Sequence, residues 1–198
     1  MGQIHDLGGG ILTALFVTLV LIPGPALAQE PPEPSKPIKP IPRVVTTNKN
    51  RLVKKHHKKL KMTASTFWPG WEAEKAFDGN VETSWFTARG DAQALGTSPW
   101  IMVTFPEDVT VARATILGNR EPAWFDGYTI LKGLIEFLDA DGKLLWADEN
   151  TGVGNRRDFE FKPRKPVAKV RSIRFVSLLD QGDQNPYDDI AIAELLVE

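Results

Sequence analysis

Three oxygen-bearing side chains, Asp78, Asn80 and Thr83, fall within six residues around Gly79. Glycine permits φ > 0, so the chain can curl there and aim several oxygens at one point. A hard cation such as Ca²⁺ takes six to eight oxygens from carboxylates, amides, hydroxyls and main-chain carbonyls. The same spacing also suits an ordinary Asx turn, with Phe77 and Trp85 as core residues on either side. The residues alone leave both readings open.

A second group of side chains suits binding rather than catalysis. Trp68 and Trp71 belong to a Trp-Pro-Gly-Trp loop, and Trp124, Phe125 and Tyr128 follow Arg120 in another. Loop aromatics offer a flat apolar face, and Trp and Tyr add a polar edge. Sugar rings present a matching C–H face and a rim of hydroxyls. Arg89, Arg120 and Asn185 are candidates for those hydroxyls, the arginines with bidentate geometry. These aromatics could equally plug the ends of a sandwich. Trp85, Trp100 and Trp146 lie in or beside strand-like runs and are read as core.

Catalysis finds little support. The chain has no cysteine and three histidines, His5, His56 and His57, all outside the expected domain. That excludes thiol nucleophiles, disulfides, Ser-His-Asp arrangements and histidine-ligated zinc within it. A carboxylate pair is the remaining route, and Asp126, Asp180, Asp183, Asp188 and Asp189 lie in or near loops. Nothing in their spacing selects two of them. Arg89-Gly90-Asp91 matches an integrin-type tripeptide, a match short enough to arise by chance.

The elements that must position these residues read as β from Met62 onward. Expected strands are Met62–Ser65, Trp100–Phe105, Thr110–Leu117, Lys132–Leu138, Leu144–Ala147, Asp158–Phe161, Val170–Leu178 and Ile190–Val197. Alternation predicts that Ile135, Phe137, Phe159, Phe161, Ile173, Phe175, Ile190 and Ile192 face the core. Glu136, Glu160, Arg174 and Ala191 should then face away. Asp139–Gly142 reads as a hairpin turn, and Ala73–Phe77 as one helical turn. About eight short antiparallel strands with long loops fit an all-β jelly-roll sandwich.

Ahead of that domain, residues 1–28 read as a signal peptide. Ile11–Ile22 is an apolar run of suitable length, and Ala26-Leu27-Ala28 fits a cleavage site. The leader lacks Lys and Arg, so a short membrane anchor is the alternative. Residues 29–47 are proline-rich and favour an extended spacer. Residues 48–61 hold Lys49, Arg51, Lys54, Lys55, Lys58, Lys59 and Lys61 around His56-His57. Leu52, His56 and Leu60 there share the spacing of a short amphipathic helix. Net charge is −1 overall, but it is +8 over Gln29–Lys61 and −8 over Met62–Glu198. The basic segment could contact a polyanion or rest against the acidic domain. The few aromatics among its lysines argue against specific nucleic-acid recognition. Export points to a secreted or periplasmic protein, with no transmembrane segment after cleavage.

Two stretches carry a family resemblance. Ala73–Trp85 resembles the signature of discoidin, or coagulation-factor type C, domains, which share the galactose-binding-like fold with many carbohydrate-binding modules. The ending Tyr187-Asp188-Asp189-Ile190-Ala191-Ile192-Ala193-Glu194-Leu195 is similar to the close of the glycan-binding domain of NADase-type toxins. The likeness spans Lys61 to Glu198 and touches only the binding domain of such toxins, not their catalytic one. It implies a jelly-roll sandwich that binds carbohydrate without catalysis, its ligand held by loops at one end. Protein–protein or cell-surface adhesion is the alternative function it allows. It also implies one structural calcium. The positions matching the ion's ligands are Lys75 and Ala193 (carbonyls), Asp78, Asn80, Thr83 and Glu194.

Overall fold

The computed structural model describes residues 51–124, 126–181 and 188–198. The expected leader 1–28, spacer 29–47, residues 48–50, Phe125, Asp183, Asn185 and Tyr187 lie outside that range. Among the described residues nine strands form two antiparallel sheets. The first sheet contains β1 (Lys61–Ala64), β3 (Trp100–Val111), β8 (Val167–Asp180), β5 (Ile130–Leu138) and β6 (Leu144–Thr151), in that order. The second contains β2 (Trp85–Phe86), β9 (Ala191–Val197), β4 (Ala114–Gly118) and β7 (Phe159–Phe161). A β-sandwich results, as expected for an all-β chain with inward alternation.

The predicted inward residues are all buried: Ile135, Phe137, Phe159, Phe161, Ile173, Phe175, Ile190 and Ile192. Glu136 and Arg174 face each other across β5 and β8 and form an ion pair at 2.6 Å. Ala191 departs from expectation. It is buried too, because Phe86 and Tyr128 cover the outer face of β9. Trp85 is fully buried, while Trp100 and Trp146 are half-buried. Asp139–Gly142 closes the β5–β6 hairpin, with Gly142 at φ 78° and Asp139 Oδ1 accepting from two backbone amides.

Two boundaries differ from the sequence reading. The expected strand Thr110–Leu117 is divided: β3 continues past Pro106 to Val111, and β4 begins at Ala114. The β3–β8 register breaks between Thr104 and Val109, where a residue without an N–H can sit. The basic segment is also not separate from the sandwich. Arg51–His56 forms helix α1, followed by a 3₁₀ turn to Lys59. Val53 is 1% exposed in the core, and Leu52 and Leu60 pack against it. The domain therefore begins before Met62. His56 belongs to it at 7% exposure, edge-on to Phe105 and 3.7 Å from Glu107. Its lysines still face outward; Lys55 lies 3.6 Å from Glu107. Among the described residues no helix is long and apolar enough to cross a membrane.

The strand registers place the connecting loops. Ala64 pairs with Ile101, Trp100 with Val176, Ile130 with Asp180, Gly118 with Ile192, and Phe86 with Ala191. The end of β1, the start of β3, the ends of β4 and β8, and the starts of β5 and β9 therefore share one end of the sandwich. Residues 65–72, 119–124, 126–129 and 188–190 adjoin these strand ends. Gly118 leads into the 119–124 stretch. A Cβ on it would lie 1.7 Å from the Arg156 carbonyl oxygen, so only glycine fits.

Candidate functional site

A cavity of about 250 Å³ opens at that end, lined by Trp68, Trp71, Phe86, Trp124, Tyr128 and Asp189. Each side chain is placed by local chemistry. Trp68-Pro69-Gly70-Trp71 is a tight turn in which the Trp71 amide donates to the Trp68 carbonyl at 2.9 Å. Gly70 takes φ 94°, the left-handed geometry that a type II turn needs after proline. The turn docks on β2: the Trp68 amide donates to the Phe86 carbonyl, and the Phe86 amide to that of Trp71. Phe86 then stands edge-on between Trp71 (5.9 Å) and Tyr128 (4.9 Å).

Carboxylates fix both indoles. Trp68 Nε1 donates to Asp189 Oδ2 at 2.8 Å. Trp71 Nε1 donates to both oxygens of Glu121, at 2.9 and 3.0 Å. Burial pushes the Glu121 carboxyl above its ordinary pKa, against the lowering effect of the Trp71 bond. Asp189 is 4% exposed overall, yet it reaches the cavity wall.

Trp124 sits on the short 3₁₀ turn Pro122–Trp124 and is 36% exposed. Asn119, buried beneath, organises its loop. The Asn119 side chain donates to the Trp124 carbonyl. Its Oδ1 accepts from Ser84 Oγ at 2.8 Å and from the Glu121 amide at 3.1 Å. One asparagine thus joins Ser84, the Glu121 backbone and the Trp124 turn.

Of the ligand-binding candidates, Trp68, Trp71, Trp124 and Tyr128 are brought together around the cavity. Arg89 and Arg120 do not line it. Arg89 is exposed on a turn whose Gly90 amide donates to the Asp188 carbonyl. Arg120 turns toward Asp158 and the Gly118 carbonyl, both at 2.6 Å, and helps close the sheet edge. Asn185 lies outside the described residues. Phe86, Asp189 and Glu121 were missed. Phe86 follows Trp85 in an apolar pair, and Asp189 resembles any loop acid until Trp68 is placed beside it. The Arg89-Gly90-Asp91 tripeptide is not offered as a motif: Asp91 Oδ2 accepts from Ser65 Oγ at 2.7 Å and Thr66 Oγ1 at 2.5 Å.

The early loop and the last strand also meet. The Gly79 amide donates to Glu194 Oε1 at 2.6 Å. Thr83 Oγ1 donates to Asp78 Oδ2 and to the Asn80 carbonyl, each at 2.8 Å. Asn80 Oδ1 accepts from the Glu82 amide, so the loop has Asx-turn geometry as well. Lys75 lies in the 3₁₀ turn Ala73–Phe77, which packs beside β9. Glu194 is 1% exposed and its Oε2 has no hydrogen-bond partner. Desolvation first, then the neighbouring Asp78 carboxylate, push its pKa up to about 8. In the β4–β9 ladder, Leu117 pairs with Glu194 and Gly118 with Ile192, so Ala193 forms a bulge without a partner there. Among the described residues no three His, Cys, Asp or Glu side chains converge.

Among the described residues the one buried imidazole does not serve the cavity. His56 packs beside Phe105 and Glu107, toward the far end of β3 from Trp100.

The model of the F5/8 type C domain matches residues 61–191. Solved structures share the fold at low identity. The family 32 carbohydrate-binding module of NanJ from Clostridium perfringens, in complex with galactose, is 21% identical with a TM-score of 0.58, covering 72% of this chain and 95% of its own. A second C. perfringens module, in complex with GalNAc-β-1,3-galactose, is 16% identical with a TM-score of 0.56, covering 72% and 96%. A fucose-binding module from Streptococcus pneumoniae is 11% identical with a TM-score of 0.53, covering 71% and 93%. No curated protein matches the chain.

Proposed function

The chain belongs to the F5/8 type C domain family, and we propose that it is an exported, non-catalytic module that binds carbohydrate. The observation that carries this reading is the aromatic cavity at the loop end of the sandwich. Its rings match the C–H faces of a pyranose, and its size suits a single sugar residue or the end of a chain. Neighbours of the same fold are described with galactose, GalNAc-β-1,3-galactose and fucose. The ligand-contacting residues in this reading are Trp68, Trp71, Trp124 and Tyr128, with Phe86 and Asp189 added.

A structural calcium is part of the proposal. Asp78, Asn80, Thr83 and Glu194 would offer side-chain oxygens, and Lys75 and Ala193 main-chain carbonyls. The support is the buried Glu194 Oε2 without a partner, beside a second carboxylate. Two adjacent carboxylates and no neutralising cation make an unfavourable cluster unless a proton or a metal joins them. A bound calcium supplies that charge and ties the early loop to β9.

The test is a glycan array probed with the full chain and with Trp124→Ala. Trp124 is partly exposed, so its loss leaves the melting temperature within about 1–2 °C. Glycan signal on the native chain, lost in the variant, supports the reading. A silent array together with retention on a purified protein partner would favour the adhesion reading instead.

A further inference from the structure

The end of the sandwich opposite the cavity carries a charge pattern that sugar binding does not use. Val111 pairs with Val167 and Ala114 with Phe161, so the β3–β4 turn and residues 162–166, which join β7 to β8, lie side by side there. Helix α1 packs on β3 and β9 at the same end, with His56 against Phe105. Residues 51–61 hold six Lys/Arg and no Asp or Glu, and residues 160–171 hold five against Glu160. Together with residues 107–113 and Glu198, this pole has twelve cations against four carboxylates. The other described residues have eight against 17. A domain of net negative charge therefore has one basic pole.

The cations are held in place rather than carried on a loose tail. Arg51, Lys54, Lys55, Lys58 and Lys59 recur at i, i+3, i+4, i+7 and i+8, one outward face of α1 and its 3₁₀ continuation. The opposite face, Leu52, Val53 and Leu60, is packed on the core. Like charges at such spacings repel, a cost that folding does not require. In the second segment two prolines restrict Lys162-Pro163-Arg164-Lys165-Pro166, and Pro163 is buried while the three cations are exposed. Lys169 follows at φ 63° in the bulge between Val167 and Val170, a strained backbone that re-aims a side chain. Arg113, Arg171 and Lys55 neutralise the local carboxylates. Arg51, Lys58, Lys59, Lys162, Arg164 and Lys165 enter no ion pair among the described residues.

We propose that this pole docks a linear, flexible polyanion of the acidic-polysaccharide class, sulfated or uronic, laid across α1 and the 162–169 segment. Neither segment exposes a large apolar side chain, which insertion into lipid wants, or a Trp, Tyr or Phe ring on which bases stack. The carboxylates of Glu107 and Glu160, 61% and 55% exposed, interrupt the patch. A bilayer or a stiff duplex must lie over them, whereas a flexible chain runs around them from cation to cation.

The test titrates heparin, as the acidic polysaccharide, into the full chain at about 50 mM and about 200 mM salt. Two double variants are compared with the parent, Lys58→Glu/Lys59→Glu on the helical segment and Arg164→Glu/Lys165→Glu on the loop. All four side chains are exposed, so the melting temperature should stay within about 1–2 °C. Each variant should bind heparin about tenfold more weakly at the lower salt, with a flatter salt dependence. Should either melt lower, the matching Gln pair serves, with a smaller loss in the same direction. The glycan signal of the cavity, at the other pole, should be unchanged in both. A parent that does not bind heparin at the lower salt overturns the proposal. So does a loop variant that binds as the parent does, because contact is then confined to the N-terminal segment. Tighter binding to a short DNA duplex, or to vesicles of phosphatidylcholine with phosphatidylglycerol, assigns the pole to another class of partner and also overturns it.

Discussion

Trp68→Ala is expected to cost carbohydrate binding about 2 kcal/mol or more, roughly 30-fold in affinity, and to lower stability as well. The binding loss follows from position. Trp68 contributes ring surface to the cavity and sits on the turn that also carries Trp71. Buried aromatic anchors of this kind dominate recognition energies. The stability loss has a different source. Removing the indole takes a donor from Asp189, which is nearly fully buried. Loss of one partner of a buried hydrogen bond costs about 1–3 kcal/mol. Trp68→Phe separates the two effects. It keeps a ring and loses the N–H, so it should share most of the stability loss and recover part of the affinity. Thermal melts paired with ligand titrations of both variants check this. A Trp68→Ala protein that binds as tightly as the parent would place recognition elsewhere.

The second large effect concerns Glu194. Without metal its folded-state pKa is raised to about 8 from an ordinary 4.5. A raised carboxyl pKa means that between these values the folded protein holds a proton that the unfolded chain has released. Stability therefore falls as pH rises from about 4.5 to 8, and levels off outside that window. Each tenfold gain in proton affinity on folding is worth about 1.4 kcal/mol, so several kcal/mol are at stake. Calcium competes with that proton, and its stabilisation should grow over the same range. At a free concentration 100 times its Kd, calcium adds about 2.7 kcal/mol. For a domain of this size that raises the melting temperature on the order of 8–10 °C. Glu194→Gln separates the contributions. The amide still accepts from the Gly79 amide and can donate toward Asp78. At about pH 8 without metal the variant should melt above the parent, and it should gain nothing from calcium. Melts at about pH 5 and about pH 8, with calcium and with chelator, decide it. A parent with no calcium response at the higher pH would remove the metal from the account.

Much of this architecture could be read from the chain, and the exceptions have physical reasons. Alternation in β5, β7 and β8 was legible because one face is apolar and the other charged. Glu136 and Arg174 show the rule clearly, since they pair on the outer face. Alternation failed on β9, where Phe86 and Tyr128 bury the second face and Ala191 gives no sign of it. Helix α1 carried a legible spacing in Leu52, His56 and Leu60. Its lysines masked the fact that Val53 and His56 are packed inward. Trp68, Trp71, Trp124 and Tyr128 were identified because loop aromatics are conspicuous. Asp189 and Glu121 were not, because a carboxylate's partner is set by tertiary placement, 121 and 50 residues away in these two cases. Arg120 misled for the same reason: its partner Asp158 belongs to a distant turn.

The central claim is that sugar enters the cavity among Trp68, Trp71 and Trp124. The chain has six tryptophans and so six indole N–H groups, each visible as a separate signal in ¹H–¹⁵N spectra. Once assigned by single Trp→Phe changes, they can be followed during titration with a glycan that scores on the array. Saturable shifts of the Trp68, Trp71 and Trp124 indoles, with Trp85, Trp100 and Trp146 unmoved, are the expected result. Shifts confined to the latter three, or a bound glycan that moves none of the first three, would contradict the account.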